Sequence, residues 1–207
     1  SAFPSDVHRL PPVGPYTLLR ELGRGSFGAV YVAQRPGQAP VALKLLLDAD
    51  QATEEDLRRF WLEGTVVRKL DDPGVVPVLD LGRSGRHLFL AMELVEGGTL
   101  EDRLRRGPLS LREAAGVVAQ LAETLSRCHA RGVVHRDVKP GNVLLDRARG
   151  PRLGDFGLAR DRALVDGLTR SGVMLGTPLY MAPEQIEGAK HAGPAADVYA
   201  LGCVLYE

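Results

Sequence analysis

The chain has 207 residues with 26 basic and 26 acidic side chains, a balance that argues against a nucleic acid or an anionic membrane surface as partner. A hydrophobic share of 44% beside 25% charged residues excludes a disordered chain and predicts one or two folded domains. Two cysteines, Cys128 and Cys203, stand far apart without CxxC spacing, which excludes a disulfide scaffold or structural zinc and suits a reducing compartment.

Residues 1–15 contain Pro4, Pro11, Pro12 and Pro15 and no apolar period, so a linker or extension without signal-peptide character is expected there. A strand pattern begins at Tyr16 and reaches Leu22; Gly23-Arg24-Gly25-Ser26-Phe27-Gly28 follows, then Ala29 to Ala33. In dinucleotide-binding folds a glycine pattern of this spacing opens a helix. Here β-branched and aromatic residues follow, which puts the glycines in a hairpin between two strands. Val41 to Leu47 reads as a buried strand with Lys44 at its centre. Thr53 and Asp56 suggest a helix start, and Leu57, Phe60, Trp61, Val67 and Leu70 mark one side of that helix. Glu63 lies three residues after Phe60 and four before Val67, and so shares their inward face. Glu54 and Glu55 merely complement the helix dipole. Gly64 costs this helix about 1 kcal/mol relative to Ala, and marks either a mobile helix or a close contact.

Val75 to Leu81 and Leu88 to Met92 read as two further strands around an Arg83-Ser84-Gly85 turn. Leu88 to Val95 is the best apolar run, yet it is short and interrupted by Glu93, so no membrane segment is expected in this chain. Past Gly97-Gly98 the period turns helical. Thr99 and Asp102 can cap a short helix; Ser110 and Glu113 form a capping box for a long one to about Ala130, with Gly132 at its C′ position. Val133-Val134 then leads into His135-Arg136-Asp137-Val138-Lys139-Pro140-Gly141-Asn142, and Val143-Leu144-Leu145 leads out. Eighteen residues after Asp137 stands Asp155-Phe156-Gly157. This chemistry suits phosphoryl transfer. Mg²⁺ takes one or two carboxylate or amide oxygens together with phosphates, and Asp155 and Asn142 supply that pair. Asp137 is left to orient an acceptor hydroxyl and take its proton, and Lys139 to reach the transferring phosphate. Leu158 to Tyr180 is irregular and carries Thr169 and Ser171; Met181-Ala182-Pro183-Glu184 follows, and Asp197 opens a last helix.

In this order the glycine hairpin, Val41-Ala42-Leu43-Lys44, the 135–142 loop, Asp155-Phe156-Gly157 and Met181-Ala182-Pro183-Glu184 resemble the protein kinases, from Tyr16 to Glu207. The detail is most similar to eukaryote-like Ser/Thr protein kinases of bacteria. The resemblance implies an α+β, two-lobed fold: an antiparallel five-stranded N-lobe with one helix over 16–92, a hinge over 93–98 and a mainly helical, incomplete C-lobe over 99–207. It implies ATP and Mg²⁺, with proteins phosphorylated on Ser or Thr. Leu22, Gly23, Gly25 and Gly28 would cover the nucleotide, with Val30, Ala42 and Leu144 about the adenine. Met92 would be the gatekeeper, and the backbones of Glu93 and Val95 would face the adenine edge. Lys44, paired with Glu63, would hold the α- and β-phosphates; Asp137 and Lys139 would act at the acceptor, Asn142 and Asp155 on the metal. His135 would support Phe156, and Asp197 the catalytic-loop backbone.

Two readings stay open for Thr169 and Ser171: phosphorylation sites whose charge pairs with Arg136, or plain hydroxyls of a flexible surface loop. The resemblance implies a cytoplasmic protein, or the cytoplasmic domain of a longer membrane-anchored one, and leaves room for a homodimer. Glu184 would find its Arg partner in a later helix, and the stripe Ala200, Leu201, Val204 and Leu205 would lack cover. The alternative function is a kinase-like module that binds nucleotide or a partner with little turnover because its C-lobe is truncated.

Overall fold

The computed structural model describes residues 12–25, 28–46, 54–156, 178–187 and 193–207. They form two compact units. One runs to Lys69 and resumes over Pro77–Leu94; the other comprises Leu70–Val76 and Val95–Glu207. The first is a sheet with one helix and the second is mainly helical, which gives the expected α+β class.

In the first unit β1 (Thr17–Gly25), β2 (Gly28–Gln34), β3 (Val41–Leu46), β4 (Val78–Ser84) and β5 (His87–Glu93) make one antiparallel sheet in the order β1-β2-β3-β5-β4. Side chains alternate across a strand, so the register sorts them onto two faces. Ala29, Tyr31 and Ala33 pair with Leu45, Leu43 and Val41, which continue to Phe89 and Ala91. All are buried in one core with Val13, Tyr16 and Leu18. Each large apolar side chain so buried contributes roughly 1.5–3 kcal/mol. The expected linker therefore already belongs to the core at Val13, where the Val13 N–H donates to Tyr16 O at 2.9 Å and the Tyr16 ring lies 5.7 Å from Phe89. β4 starts later than expected because Val75 and Val76 pair within the other unit.

The helix α1 (Glu54–Arg68) buries Phe60, Gly64 and Val67. A Cβ added at Gly64 would sit 2.8 Å from Leu81 Cδ1, so this glycine serves close packing on β4. Trp61, expected on the inward side, is 42% exposed. One residue on from Phe60 is a rotation of roughly 100°, which carries it to the edge of the stripe. Thr53 lies outside the described residues.

In the second unit α2 (Leu100–Leu104) and α3 (Leu111–Ala130) each begin with the capping box expected of Thr99/Asp102 and Ser110/Glu113. α3 ends on Gly132 at φ 76°, with Gly132 N–H bonded to His129 O and Val133 N–H to Cys128 O, a Schellman arrangement. A hairpin of β6 (Val143–Asp146) and β7 (Gly150–Leu153) follows the loop at 135–142; β7 carries Gly and Pro and has no strand signal in the sequence. Gly97 lies so close to this hairpin that a Cβ there would overlap Leu145 O, while Leu145 N–H donates to Gly98 O at 2.9 Å.

The segment 70–76 docks on the same hairpin: Val76 N–H donates to Leu153 O and Leu153 N–H to Gly74 O, each at 2.8 Å. Buried Asp72 receives Arg127 through two N–H···O bonds, at 2.7 and 2.9 Å. The last two helices are α4 (Pro183–Glu187) and α5 (Pro194–Tyr206). α5 buries Ala200, Leu201 and Val204, so the stripe expected to lack cover is packed, α3 being a neighbour. Within that stripe Leu205 alone stays uncovered, as expected, at 49% exposure, since Asp197, Ala200, Leu201 and Val204 already complete one helical face.

Candidate active site

The first unit assembles its candidates by strand register. Val30 pairs with Lys44, and Lys44 with Leu90; Val32 pairs with Ala42, and Ala42 with Met92. All these side chains therefore share the face opposite the Val13–Tyr31–Phe89 core. Leu90 and Met92 are buried there, whereas Val30, Ala42 and Lys44 are half-exposed. Leu22 is 43% exposed on β1, and nothing lies within 4 Å of a Cβ built on Gly23. Gly25 and Gly28 pair where β1 turns into β2. Glu93 closes β5 and gives its N–H to Pro77 O at 3.1 Å, so that N–H is already engaged. Glu63 is in α1, but its side chain lies outside the described residues, and with it the pairing expected with Lys44.

In the second unit the loop at 135–142 is short of regular structure, and buried side chains organise it. His135 is fully buried. Its Nδ1 accepts the Asp137 N–H at 3.2 Å, which places the ring hydrogen on Nε2 facing Gly154 O at 3.1 Å. The ring also stacks on buried Phe156, with centroids 4.4 Å apart. Asp197, 1% exposed, accepts the backbone N–H of His135 at 2.8 Å and of Arg136 at 2.7 Å, and holds His129 Nε2 at 2.8 Å. Arg136 sits at φ 64°, a conformation costly for a residue with a Cβ, and these bonds impose it.

That turn brings Asp137, Lys139 and Asn142 together. Lys139 Nζ lies 3.2 Å from Asp137 Oδ2. Asn142 Nδ2 donates to Asp137 O at 2.8 Å and to Oδ2 at 2.9 Å. With both amide hydrogens so committed, Oδ1 is the atom Asn142 can offer a cation. Asn142 O in turn accepts the Gly154 N–H at 2.9 Å, which ties the residue before Asp155 to the loop. Asp155 is half-exposed at φ 58°. A carboxylate and an amide oxygen held on neighbouring backbones fit a hard divalent cation that also draws on phosphate oxygens. Leu144 on β6 reaches to 2.7 Å from a Cβ built on Gly154, placing it under the same backbone.

Thr169, Ser171 and Gly157 lie outside the described residues. Several organising residues carry no local signal. Asp72 meets Arg127, whose hydrogen bonds hold its carboxyl below the usual carboxylate range. Buried Arg152 donates to Val75 O at 2.9 Å, and Gln185 donates to Arg136 O at 3.0 Å. Each pair is separated by about fifty residues or more, so only the fold could reveal it. Cys128 is a core residue whose thiol burial pushes up to about 11, far from reactivity.

Residues 16–207 match the family model described as Protein kinase domain. The chain is 43% identical to the serine/threonine-protein kinase PkaA of Streptomyces coelicolor, over 95% of this chain and 39% of PkaA. It is also 43% identical to the serine/threonine-protein kinase PknL of Mycobacterium tuberculosis, over 81% of this chain and 42% of PknL. The chain thus spans about two-fifths of these curated relatives. The PknI kinase domain of M. tuberculosis superposes with a TM-score of 0.76 at 32% identity, covering 99% of this chain and 74% of that one. The fold is therefore the two-lobed kinase fold, and the chain belongs to the protein kinase family, beside bacterial serine/threonine-protein kinases.

Proposed function

We propose that this chain transfers the γ-phosphoryl group of ATP to Ser or Thr hydroxyls of proteins, with Mg²⁺ as the metal, in the cytoplasm. The observation that carries the reading is the hydrogen-bonded group Asp137–Lys139–Asn142, joined through Gly154 to the backbone of Asp155. Mg²⁺, held by Asn142 Oδ1 and an Asp155 carboxylate oxygen, would neutralise phosphate charge. Asp137 orients the acceptor hydroxyl and receives its proton. Lys139, 3.2 Å from that carboxylate, stabilises charge on the group in transfer. In the first unit Lys44 serves the α- and β-phosphates with Glu63 as partner, and Leu22, Gly23, Gly25, Gly28, Val30, Ala42 and Met92 contact the nucleotide. The Glu93 and Val95 backbones and Leu144 serve the adenine, and Thr169 and Ser171 are sites of activating phosphorylation.

Incubation with ATP, Mg²⁺ and a Ser/Thr-rich unstructured protein, read by phosphopeptide mass spectrometry, tests the reading. Asp137→Asn should bind ATP normally while turnover falls at least ~10²-fold. Lys44→Met should fold and lose most transfer. ATP binding by the parent without any phosphoserine or phosphothreonine product would replace the reading with a nucleotide-binding module.

A further inference from the structure

The residue before Asp137 holds a strained conformation. Arg136 holds φ 64°, and Asp197 takes its N–H at 2.7 Å. Its carbonyl is held from elsewhere: Gln185 Nε2, on α4, donates to Arg136 O at 3.0 Å. The other end of the same carboxamide is also engaged, since Gln185 Oε1 accepts the Ala182 N–H at 3.1 Å. The two bonds fix the amide's orientation, because a flip would set oxygen against oxygen and N–H against N–H. The base of this arm is itself anchored: Ala182 is fully buried and packs with Ala196 of α5, one residue before Asp197.

We infer that Gln185 is a positioning residue for the proposed phosphoryl transfer, gripping the Arg136 carbonyl so that the Asp137 carboxylate stays aimed at the acceptor. This rests on the reading of Asp137 given above. Asp197 and Gln185 hold the two polar ends of residue 136 from different helices, and so define the backbone on which Asp137 is carried. Small misplacements of a reacting group are costly, on the order of 10²-fold for 1 Å.

Two substitutions separate this role from simple helix capping. Gln185→Glu keeps an oxygen for the Ala182 N–H but sets a carboxylate against the Arg136 carbonyl; Gln185→Ala removes both bonds. Turnover, KM for ATP, thermal melting, and hydrogen exchange of the 133–139 peptide are measured on parent and variants. The expected result is a fall in kcat of about tenfold or more in both variants. KM for ATP should stay within about twofold, with faster exchange at 135–137 and a parent-like melt for Gln185→Glu. Full turnover in Gln185→Glu with loss only in Gln185→Ala would reduce Gln185 to a cap and overturn the inference, as would two unchanged variants. Should the parent itself transfer no phosphate, the proposed function falls. The grip is then judged on exchange alone, and unchanged exchange at 135–137 overturns it.

Discussion

The two units are held together by different means. Among the described residues every buried polar or charged side chain (Asp72, Thr124, His135, Asn142, Arg152 and Asp197) lies in the second unit. The first unit satisfies its backbone through ladder pairing and fills one face with apolar side chains. The loops at 70–76 and 135–142 lie outside the strands, and beside a few backbone pairings such as Val76–Leu153 their polar groups draw on side chains. Asp197 and Arg152 are such partners, each reaching from another element to irregular backbone, while Asp72 takes the Gly74 N–H within its own loop. Sheets are specified by pattern; irregular active-site backbone has to be specified by individual polar side chains.

That contrast breaks most visibly at Asp197. Asp197→Ala strands two buried N–H groups and should cost about 3–5 kcal/mol and nearly all transfer, whereas Asp197→Asn, keeping one acceptor, should cost less. Denaturant melts beside initial rates read both. In the apolar unit Leu43→Ala should cost about 3 kcal/mol by leaving a cavity. Hydrogen exchange should confine the loosening to β2, β3 and β5; spread into 135–142 would show that the two modes of support are not separate. A smaller effect concerns acid. The Arg127 hydrogen bonds lower the Asp72 pKa in the folded state, so the stability it contributes is present above the unfolded value and is lost as pH falls through the folded one. The second unit should therefore weaken below about pH 4, and Arg127→Met should remove that acid limb while lowering stability at neutral pH. pH-dependent melts of the two proteins compare them directly. Smallest is Ser110→Ala, an exposed capping box on α3, at about 1 kcal/mol by thermal melting.

The same division decides what the sequence discloses. Strand alternation and capping boxes are local, so the five strands, α2 and α3 could be read directly, while the joining of those strands in one antiparallel sheet came from the family resemblance. The cluster Asp137–Lys139–Asn142 was legible because six residues of chain contain it. Asp197 was reached only through family resemblance. Asp72–Arg127, Arg152–Val75 and Gln185–Arg136 were not legible, since nothing near Asp72 or Gln185 marks a partner 55 or 49 residues away. Trp61 misled for a related reason: apolar character says a residue can be buried, while the helical angle decides whether it is.

The excursion of residues 70–76 out of one unit and into the other has a consequence for biosynthesis. A ribosome delivers the whole of the first unit by Leu94, but the strap between Lys69 and Pro77 has its partners at Arg127 and Leu153. Val75 and Val76 are 1% and 3% exposed once docked, so until some sixty to eighty further residues emerge they remain wet and sticky. At about 5–20 residues per second this lasts on the order of 3–15 seconds, a window in which the nascent sheet is tethered to an unsatisfied apolar loop. Chaperone engagement of stalled chains should accordingly be strongest for nascent lengths that have cleared Leu94 but not yet Leu153.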